Sequence, residues 1–195
     1  MERLPIASRA EAFAALVSQC EITGKEGPGF EVDRGVERAC DILLDAREKG
    51  ASIYIIGNGG SAGVASHATI DFVNVGRLRA FTLHDSALLT CMTNDYGYEN
   101  AYARILAQVA RKGDVLIAIS SSGRSKNILN AAQQASEKSC SVVTLSGFSP
   151  DNPLRGRGEL NVWLNSSDYG MVEIGHQFVL HNISDRFGLL SREEA

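Results

Sequence analysis

The sequence predicts an α/β fold in which a parallel β-sheet is covered by helices on both faces. From about residue 50 onward, short β-rich runs alternate with helical ones. The runs IYII, VLIAI and VVTL are continuously apolar, which is typical of strands that are buried on both faces. Since crossovers between parallel strands are right-handed, these units predict a three-layer, doubly wound arrangement.

The predicted elements follow one another in a regular order. Residues from about 8 to 22 and from 32 to 49 carry apolar side chains at helical spacing, and GKEGPGF at Gly24–Phe30 separates them. The predicted strands are Ser52–Ile56, Arg79–Leu83, Val115–Ile119, Ser141–Leu145 and Leu160–Leu164. The predicted helices between and after them are Ala62–Val75, Ala87–Thr93, Ser125–Lys138 and Met171–Leu190.

Length and composition limit the domain count and the partners. The 195 residues predict one domain, with N-terminal helices at 1–49 and an α/β core with its last helix at 50–195. A net charge of −4 leaves no basic surface for nucleic acid. No apolar run approaches the roughly 18 residues of a membrane span, so no membrane partner is expected either. An anionic ligand must therefore be bound by a few well-placed donors.

The four cysteines do not form a metal or redox motif. Cys20, Cys40, Cys91 and Cys140 are widely spaced and include no C-x-x-C pair. We expect them to be small buried side chains in a reducing compartment. This predicts a cytoplasmic protein.

The first candidate motif is a glycine-rich loop between a predicted strand and a predicted helix. Gly57-Asn58-Gly59-Gly60-Ser61 directly follows IYII. Its glycines let the backbone turn with positive φ and approach a ligand closely. Ser61 is expected to cap the next helix, whose free N–H groups and positive dipole end favour anions. A plain tight turn is the alternative, and spacing alone does not decide between them.

The second candidate motif is a serine-rich loop. Ser120-Ser121-Ser122-Gly123-Arg124-Ser125 follows VLIAI and precedes the helix NILNAAQQA. Four hydroxyl groups exceed what one helix cap needs, and serines at a helix N-terminus donate to phosphate oxygens. Ligands of doubly wound sheets bind beyond the carboxyl ends of the strands. Two such loops on one sheet therefore predict a phosphate-binding site.

Neither loop is a good nucleotide-binding motif. A P-loop requires a lysine in G-x-x-x-x-G-K-[ST], and no such run occurs. Gly57–Ala62 has alanine at the third glycine position of G-x-G-x-x-G. The acidic residue expected about 20 residues further on is also missing, because Val75–Arg79 lies there. A dinucleotide site is therefore disfavoured.

Two predicted helices each carry a carboxylate and an imidazole on one face. His67 and Asp71 are four residues apart on the helix that follows the glycine loop. Glu173 and His181 are eight apart on the last helix, within about 80° of each other around its axis. Together these four side chains would form a site suited to Zn²⁺. Without metal they could act as general acid and base.

Each of these histidines also has an ordinary structural interpretation. A His–Asp pair at i and i+4 is often an exposed helix pair that contributes little to stability. His84 follows a predicted strand, and His176 lies off the face that carries Glu173 and His181. We interpret His84 and His176 as structural residues or as residues near the substrate.

Several segments resemble blocks of one enzyme family, the phosphoheptose isomerases of the SIS (sugar isomerase) type. GNGGSAGVASHATIDF resembles their G-N-G-G-S-x-x-x-A-x-H-x-x-x-[ED] block, and ISSSGRSKNILNA resembles their S-[TS]-S-G-x-S phosphate loop. TNDYGYENAYAR is similar to their N-D-x-G-[FY] segment. The helix that contains His181 resembles their C-terminal catalytic helix. The blocks run in the family's order over roughly residues 30–190.

The resemblance implies a fold, an assembly and a substrate class. It implies a five-stranded parallel SIS sheet with an N-terminal helical extension, and a homotetramer with active sites at subunit interfaces. It implies a ketose phosphate substrate such as sedoheptulose 7-phosphate. The phosphate would be bound by Ser120, Ser121, Ser122 and Ser125, and the sugar chain by Asn58 and Ser61. Gly59, Asn94, Asp95 and Glu173 complete the implied substrate-binding set.

The resemblance also implies catalytic and metal-binding roles. Asp71 would move a proton between C1 and C2, with His181 as its acid–base partner. One Zn²⁺ per subunit would be bound by His67, Asp71, Glu173 and His181.

Some positions depart from the family pattern. The family carries Glu where this chain has Asp71, Gln where it has Glu173, and a carboxylate where it has Gly170. Asp is one methylene shorter, which withdraws its carboxylate by about 1.5 Å. A misplacement of about 1 Å can cost on the order of 100-fold in rate. Glu173 adds a second anionic metal ligand.

The leading hypothesis is therefore aldose–ketose isomerisation through an enediol, from sedoheptulose 7-phosphate to D-glycero-D-manno-heptose 7-phosphate. One alternative is a non-catalytic SIS protein that binds or regulates, such as one that acts through a replication initiator. Another is an isomerase of a different sugar phosphate. Relatives of the regulatory kind tend to lose the acid–base residues. Since His67, Asp71, Glu173 and His181 all remain here, the sequence favours an enzyme.

Overall fold

The central strands bury both of their faces. In this computed structural model, which describes residues 5–25 and 29–193, Ile53 and Ile55 pack into one apolar cluster and Tyr54 and Ile56 into the other. Successive side chains of a strand point to opposite faces of its sheet. Continuous apolar runs therefore have a partner layer on each side, as the sequence predicts. Residues 1–4 and 26–28 of the expected N-terminal extension lie outside the described residues.

Within the part of the chain that the structure describes, the sheet has six strands in the order β1-β6-β5-β4-β2-β3. The five strands from β2 to β6 pair in parallel, which confirms the predicted parallel sheet. The strands are β1 (Glu21–Gly24), β2 (Ser52–Ile56), β3 (Arg79–Thr82), β4 (Val115–Ser120), β5 (Ser141–Ser146) and β6 (Leu160–Trp163).

The sixth strand corrects the expected count of five. The first helix ends at Ser18 rather than continuing to residue 22, and β1 pairs antiparallel with β6, with Ile22 opposite Val162. Cys20 and Ile22 are both buried. Their spacing of two residues fits a strand, but in a segment of four residues it cannot be separated from the end of the helical pattern before it.

Helices cover both faces of the sheet. Helices α2, α3 and α7 contribute to one apolar cluster, and α5 and α6 to the other. The sequence prediction left out α5, although four of its nine residues are buried. None of the described helices combines the length and apolarity of a membrane span. The helices are α1 (Ile6–Ser18), α2 (Val32–Glu48), α3 (Gly60–Asn74), α4 (Ser86–Tyr96), α5 (Ala101–Val109), α6 (Lys126–Glu137) and α7 (Tyr169–Glu193), with a 3-10 turn at Tyr98–Asn100.

The strand order reverses between β2 and β4. The chain leaves β2 through α3 to the edge strand β3, and returns through α4 and α5 to β4 on the other side of β2. The loop after β2 leads to α3 on one face, and the loop after β4 leads to α6 on the other. A crevice opens at such a switch point. The glycine-rich and serine-rich loops both lie there.

The prediction for the cysteines is correct in part. All four are free thiols, and Cys20 and Cys40 are buried. Burial raises the pKa of each of these two thiols to about 11, so they remain protonated near neutral pH. Cys91 is exposed on α4 and Cys140 is only half-buried, contrary to the expectation that every cysteine is buried.

His176 joins α7 to the centre of the sheet. Its side chain is completely buried, and Nε2 lies 3.1 Å from the carbonyl oxygen of Ser146, to which it donates because a carbonyl only accepts. No partner for Nδ1 occurs within residues 5–25 and 29–193. Burial lowers the pKa of His176 to about 4. The residue therefore has the structural role that the sequence analysis allowed for.

Protonation of His176 is expected to destabilise the fold in acid. The pKa is lower in the folded state than in the unfolded chain, so the contribution of His176 to stability is complete above about pH 6.5. It declines as the pH falls from there toward 4, by roughly 3 kcal/mol in total. Urea unfolding between pH 7.5 and 4 should show this decline, and His176→Gln should reduce it. Parallel curves for the two proteins would contradict the assignment.

Candidate active site

The glycine-rich loop turns sharply into α3. Gly59 precedes the helix with φ +55°, a backbone conformation that favours glycine. The helix begins at Gly60, one residue before the predicted cap, and no side chain caps it. Ser61 is therefore inside the first turn rather than at the N-cap, which corrects the prediction. Its buried side chain lines the cavity at this end of the sheet.

The serine-rich loop forms a tight turn at the end of β4. The N–H of Gly123 donates to the carbonyl of Ser120 at 2.9 Å, with φ +62° at Gly123. Ser125 is the N-cap residue of α6 as predicted, but its side chain makes no capping hydrogen bond. Instead, Ser125 Oγ accepts from Ser120 Oγ at 3.3 Å. The hydroxyls of this loop thus remain beside the helix N-terminus, where an anion is favoured.

The two loops enclose a polar cavity of about 290 Å³, which we call the serine cavity. Ser121 is 4% exposed, and its Oγ has no hydrogen-bond partner within the described residues. A buried hydroxyl without a partner is costly, so this group fits a ligand that is bound in the cavity. The cavity is lined by Asn58, Gly59, Gly60, Ser61, Ile119, Ser120, Ser121, Ser122, Ser125, Tyr169 and Glu173.

Among the described residues that line this cavity, Glu173 alone carries a carboxylate. Glu173 lies so close to the start of α3 that a side chain at Gly60 would collide with its carboxylate. The positive end of the α3 dipole favours that charge. A bound phosphate would occupy the same cavity and be repelled by it. We therefore expect the charge of Glu173 to weaken anion binding in this cavity.

Tyr169 is a cavity residue that the sequence analysis missed. It is the first residue of α7, and its ring packs against Phe148 with centroids 4.8 Å apart. Phe148 has φ +58°, in the left-handed region that a bulky residue rarely adopts. Positions 148 and 169 are related by no helical or strand spacing, so this contact between two aromatic rings could not be predicted from the sequence.

Asn94 and Asp95 lie away from this cavity. Both are exposed near the end of α4, where Asn94 Nδ2 donates to Asp95 Oδ1 at 2.9 Å. Neither lines the space between the glycine and serine loops within one chain. A substrate-binding role for them stays a prediction.

The acid–base candidates of α3 and α7 meet in a compact cluster, which we call the His–Asp–His triad (His67, Asp71 and His181). Their ligand atoms lie within 4.8 Å of one another. Asp71 Oδ2 lies 3.1 Å from His181 Nδ1 and 3.6 Å from His67 Nε2. It is buried, yet among the described residues no group donates a regular hydrogen bond to it. Asp71 is thus oriented toward a space between two imidazoles.

The donor set of the triad fits a zinc ion. Two imidazole nitrogens and one carboxylate oxygen are the three protein ligands of many catalytic zinc sites, with a fourth position open. The unpartnered Asp71 Oδ2 is the kind of atom that such an ion would satisfy. Glu173 is the fourth expected ligand. Within the described residues it is not part of the triad and lines the serine cavity instead.

His84 has a different environment from the triad. Its Nε2 lies 2.9 Å from Ser66 Oγ, and no partner for its Nδ1 occurs in the described ranges. Burial lowers the pKa of His84. We assign it a structural contact between α3 and the loop after β3.

Comparison with known proteins agrees with this architecture. The SIS-domain family model matches residues 31–147. A phosphoheptose isomerase of Citrifermentans bemidjiense is 33% identical over 190 residues, which cover 94% of this chain and 95% of that protein. The chain belongs to the SIS-domain family of the phosphoheptose isomerases.

Further relatives support this membership at the levels of sequence and fold. A phosphoheptose isomerase of Campylobacter concisus is 36% identical over 157 residues, which cover 76% of this chain and 81% of that protein. The structure of a phosphoheptose isomerase from Francisella tularensis superimposes with a TM-score of 0.80 at 23% identity, over 93% of this chain and 95% of that one. This structural likeness shows a shared SIS fold.

Removing the charge of Glu173 should tighten anion binding in the serine cavity. Glu173→Gln keeps the shape of the side chain and removes its repulsion of phosphate, so the affinity for inorganic phosphate should rise on the order of tenfold. Isothermal titration calorimetry measures the change. The matched control is Asp168→Asn, which removes a charge that pairs with Arg9 at 3.0 Å and does not line the cavity. Equal affinities for Glu173→Gln and the unsubstituted protein would contradict this assignment.

Proposed function

We propose that this protein is an aldose–ketose isomerase that converts sedoheptulose 7-phosphate into D-glycero-D-manno-heptose 7-phosphate through an enediol. Membership of the phosphoheptose isomerase family supports the reaction and the substrate. In this proposal the chain is a single catalytic domain that works in the cytoplasm, where its four free thiols stay reduced.

One observation carries the proposal. The same two helices, α3 and α7, line the serine cavity at their first turns and hold the triad further along. From Glu173 to His181, α7 rises about 12 Å along its axis, at 1.5 Å per residue. An extended seven-carbon sugar phosphate spans a comparable distance, whereas a triose phosphate does not. The phosphate can therefore be held at one end while C1 and C2 reach the triad.

The proposed mechanism begins with phosphate binding. Hydroxyls of Ser120, Ser121, Ser122 and Ser125 and the N-terminus of α6 hold the phosphate, and this remote binding energy orients the reacting carbons. Asp71 then removes a proton from one of the two carbons and returns it to the other. Through the enediol, His181 transfers a proton between the oxygens on C1 and C2. Each proton that is removed is thus returned, and the aldose and ketose interconvert.

A zinc ion is the proposed cofactor, one per subunit. His67, Asp71 and His181 would hold it. Glu173, the fourth ligand that the family resemblance implies, lies outside this group within the described residues and lines the serine cavity. When bound, the zinc ion would polarise the substrate carbonyl and stabilise negative charge on oxygen. The side chains that line the serine cavity would orient the sugar phosphate.

A homotetramer is the proposed assembly. Apolar side chains remain exposed on the helices that carry the triad: Ile70 and Val73 on α3 are 58% and 47% exposed, and Ile174 and Phe178 on α7 are 60% and 47% exposed. Exposed apolar patches mark interaction surfaces. Burial of these patches between copies of the chain would bring neighbouring subunits to the triad.

The decisive experiment is conversion of sedoheptulose 7-phosphate by the purified, chelator-treated protein, with and without added Zn²⁺. We expect turnover that rises when Zn²⁺ is added. A coupled assay for the aldose phosphate, or NMR, measures this turnover. Binding without turnover in either condition would contradict isomerase activity on this sugar and favour another sugar phosphate or a regulatory role.

Asp71→Asn should abolish turnover and leave phosphate binding intact. The amide cannot accept the carbon-bound proton, and a loss of at least 1,000-fold is expected, within the range of general acid–base contributions of roughly 10²–10⁴. Asp45→Asn on α2 is the matched control, since Asp45 also forms an i,i+4 pair, with Lys49, far from the triad. Retained turnover in Asp71→Asn would remove Asp71 from the mechanism.

Light scattering tests the assembly. We expect a species of about four times the 20.9 kDa chain mass. Ile174→Glu should yield smaller species with an unchanged circular dichroism spectrum, because it places a charge in the proposed interface. Val109→Glu, at an exposed position on the opposite face of the sheet, is the control. A monomeric unsubstituted protein would contradict the proposed tetramer.

A further inference from the structure

A buried amide joins the glycine loop to the helix of the serine loop. Asn58 Nδ2 donates to Asn127 Oδ1 at 2.9 Å, and Asn127 Nδ2 donates to Asn58 Oδ1 at 2.8 Å. Asn127 is the second residue of α6 and is 2% exposed. Tyr98, in the 3-10 turn, donates its hydroxyl hydrogen to Asn58 Oδ1 at 2.8 Å. Three separate segments of the chain thus meet at one side chain.

A backbone donor determines which way these amides face. The N–H of Ile128 donates to Asn127 Oδ1 at 3.0 Å. Because a backbone N–H cannot accept, the oxygen of Asn127 must be on that side. Asn58 must then present Nδ2 to this oxygen and Oδ1 to Asn127 Nδ2. The orientation of Asn58 therefore follows from Asn127.

The network leaves one N–H hydrogen of the Asn58 side chain without a partner among the described residues. Its Oδ1 already accepts two hydrogen bonds, from Asn127 and Tyr98. One hydrogen of its Nδ2 is used by Asn127, and the second has no partner among the described residues. Asn58 lines the serine cavity. It can therefore serve a ligand there as a hydrogen-bond donor and not as an acceptor.

We propose that Asn127 is a positioning residue, assisted by Tyr98, that fixes Asn58 as an N–H donor to the sugar chain of the substrate. An amide without this network could turn over and present its oxygen, which can accept a hydrogen bond from a sugar hydroxyl but cannot donate one to a sugar oxygen. The inference rests on the proposed function for the identity of the ligand. Its structural basis, the orientation of Asn58, is independent of the reaction.

Two variants interrupt the network at different points. Asn127→Ala should weaken binding of sedoheptulose 7-phosphate on the order of tenfold, and Tyr98→Phe about threefold, because the donor loses its fixed orientation. Gln133→Ala is the matched control: Gln133 also lies on α6, and its side chain contacts Glu137 and Arg157, not Asn58 or the 3-10 turn. It should bind the sugar phosphate as the unsubstituted protein does.

The affinity for inorganic phosphate distinguishes a positioning role of Asn127 from a general disturbance of the serine loop. If Asn127 acts through Asn58 on the sugar, calorimetry should show an unchanged affinity of Asn127→Ala for inorganic phosphate. In an Asn58→Ala background, Asn127→Ala and Tyr98→Phe should cause no further loss of sugar-phosphate affinity. Equal losses for both ligands, additive losses in the double variants, or no loss at all would each overturn the proposal.

The same measurements keep this inference apart from the proposed function. Turnover by the unsubstituted protein reports on the isomerase activity, and the pattern of dissociation constants among the variants reports on positioning. A protein that binds the sugar phosphate without turnover would contradict the former alone.

Discussion

The structure depends on the parallel pairing of β2 with β4 at the point where the strand order reverses. Ile53 to Ile56 pair with Val115 to Ala118, and both strands are buried on both faces. Because the chain leaves these neighbours toward opposite faces, two loops and two helix N-termini meet at one edge of the sheet. The cavity between the loops is thus a consequence of topology, and the loop residues determine what it can bind.

The cavity proposed to bind phosphate has no cationic side chains among the described residues. Among the described residues, no Lys or Arg lines it, and the chain as a whole has a net charge of −4. Affinity must come from hydroxyls, N–H groups and helix dipoles, each of which depends on direction far more than a charge does. The buried positions of Ser61, Ser120 and Ser121 supply this direction, since packed side chains do not reorient freely. In the proposed function, the site would therefore select a phosphate by the arrangement of its donors.

Much of this arrangement could be predicted from the sequence. The five parallel strands follow from apolar runs, and the shared face of His67 and Asp71 follows from helical spacing, as the 3.6 Å contact confirms. What could not be predicted depends on contacts between distant segments. Strand β1 forms because its residues pair with β6. The amide of Asn58 is oriented by Tyr98 and Asn127, which are 40 and 69 positions away in the sequence. The position of Ser61 was mistaken because glycine at positive φ allowed α3 to start one residue early.

Two of the three departures from the family pattern, Asp71 and Glu173, lie at different ends of the site. The shorter side chain of Asp71 still reaches both histidines, with Oδ2 at 3.1 Å from His181 and 3.6 Å from His67. In the proposed mechanism, the retreat of about 1.5 Å that one methylene causes would lengthen the distance from Asp71 to the substrate carbons. Glu173 lines the serine cavity, so its extra charge acts first on the phosphate end of a ligand. The shorter carboxylate would slow proton transfer at carbon, whereas the added carboxylate weakens anion binding. Because one change alters the rate and the other the affinity, kcat and KM should respond to them separately.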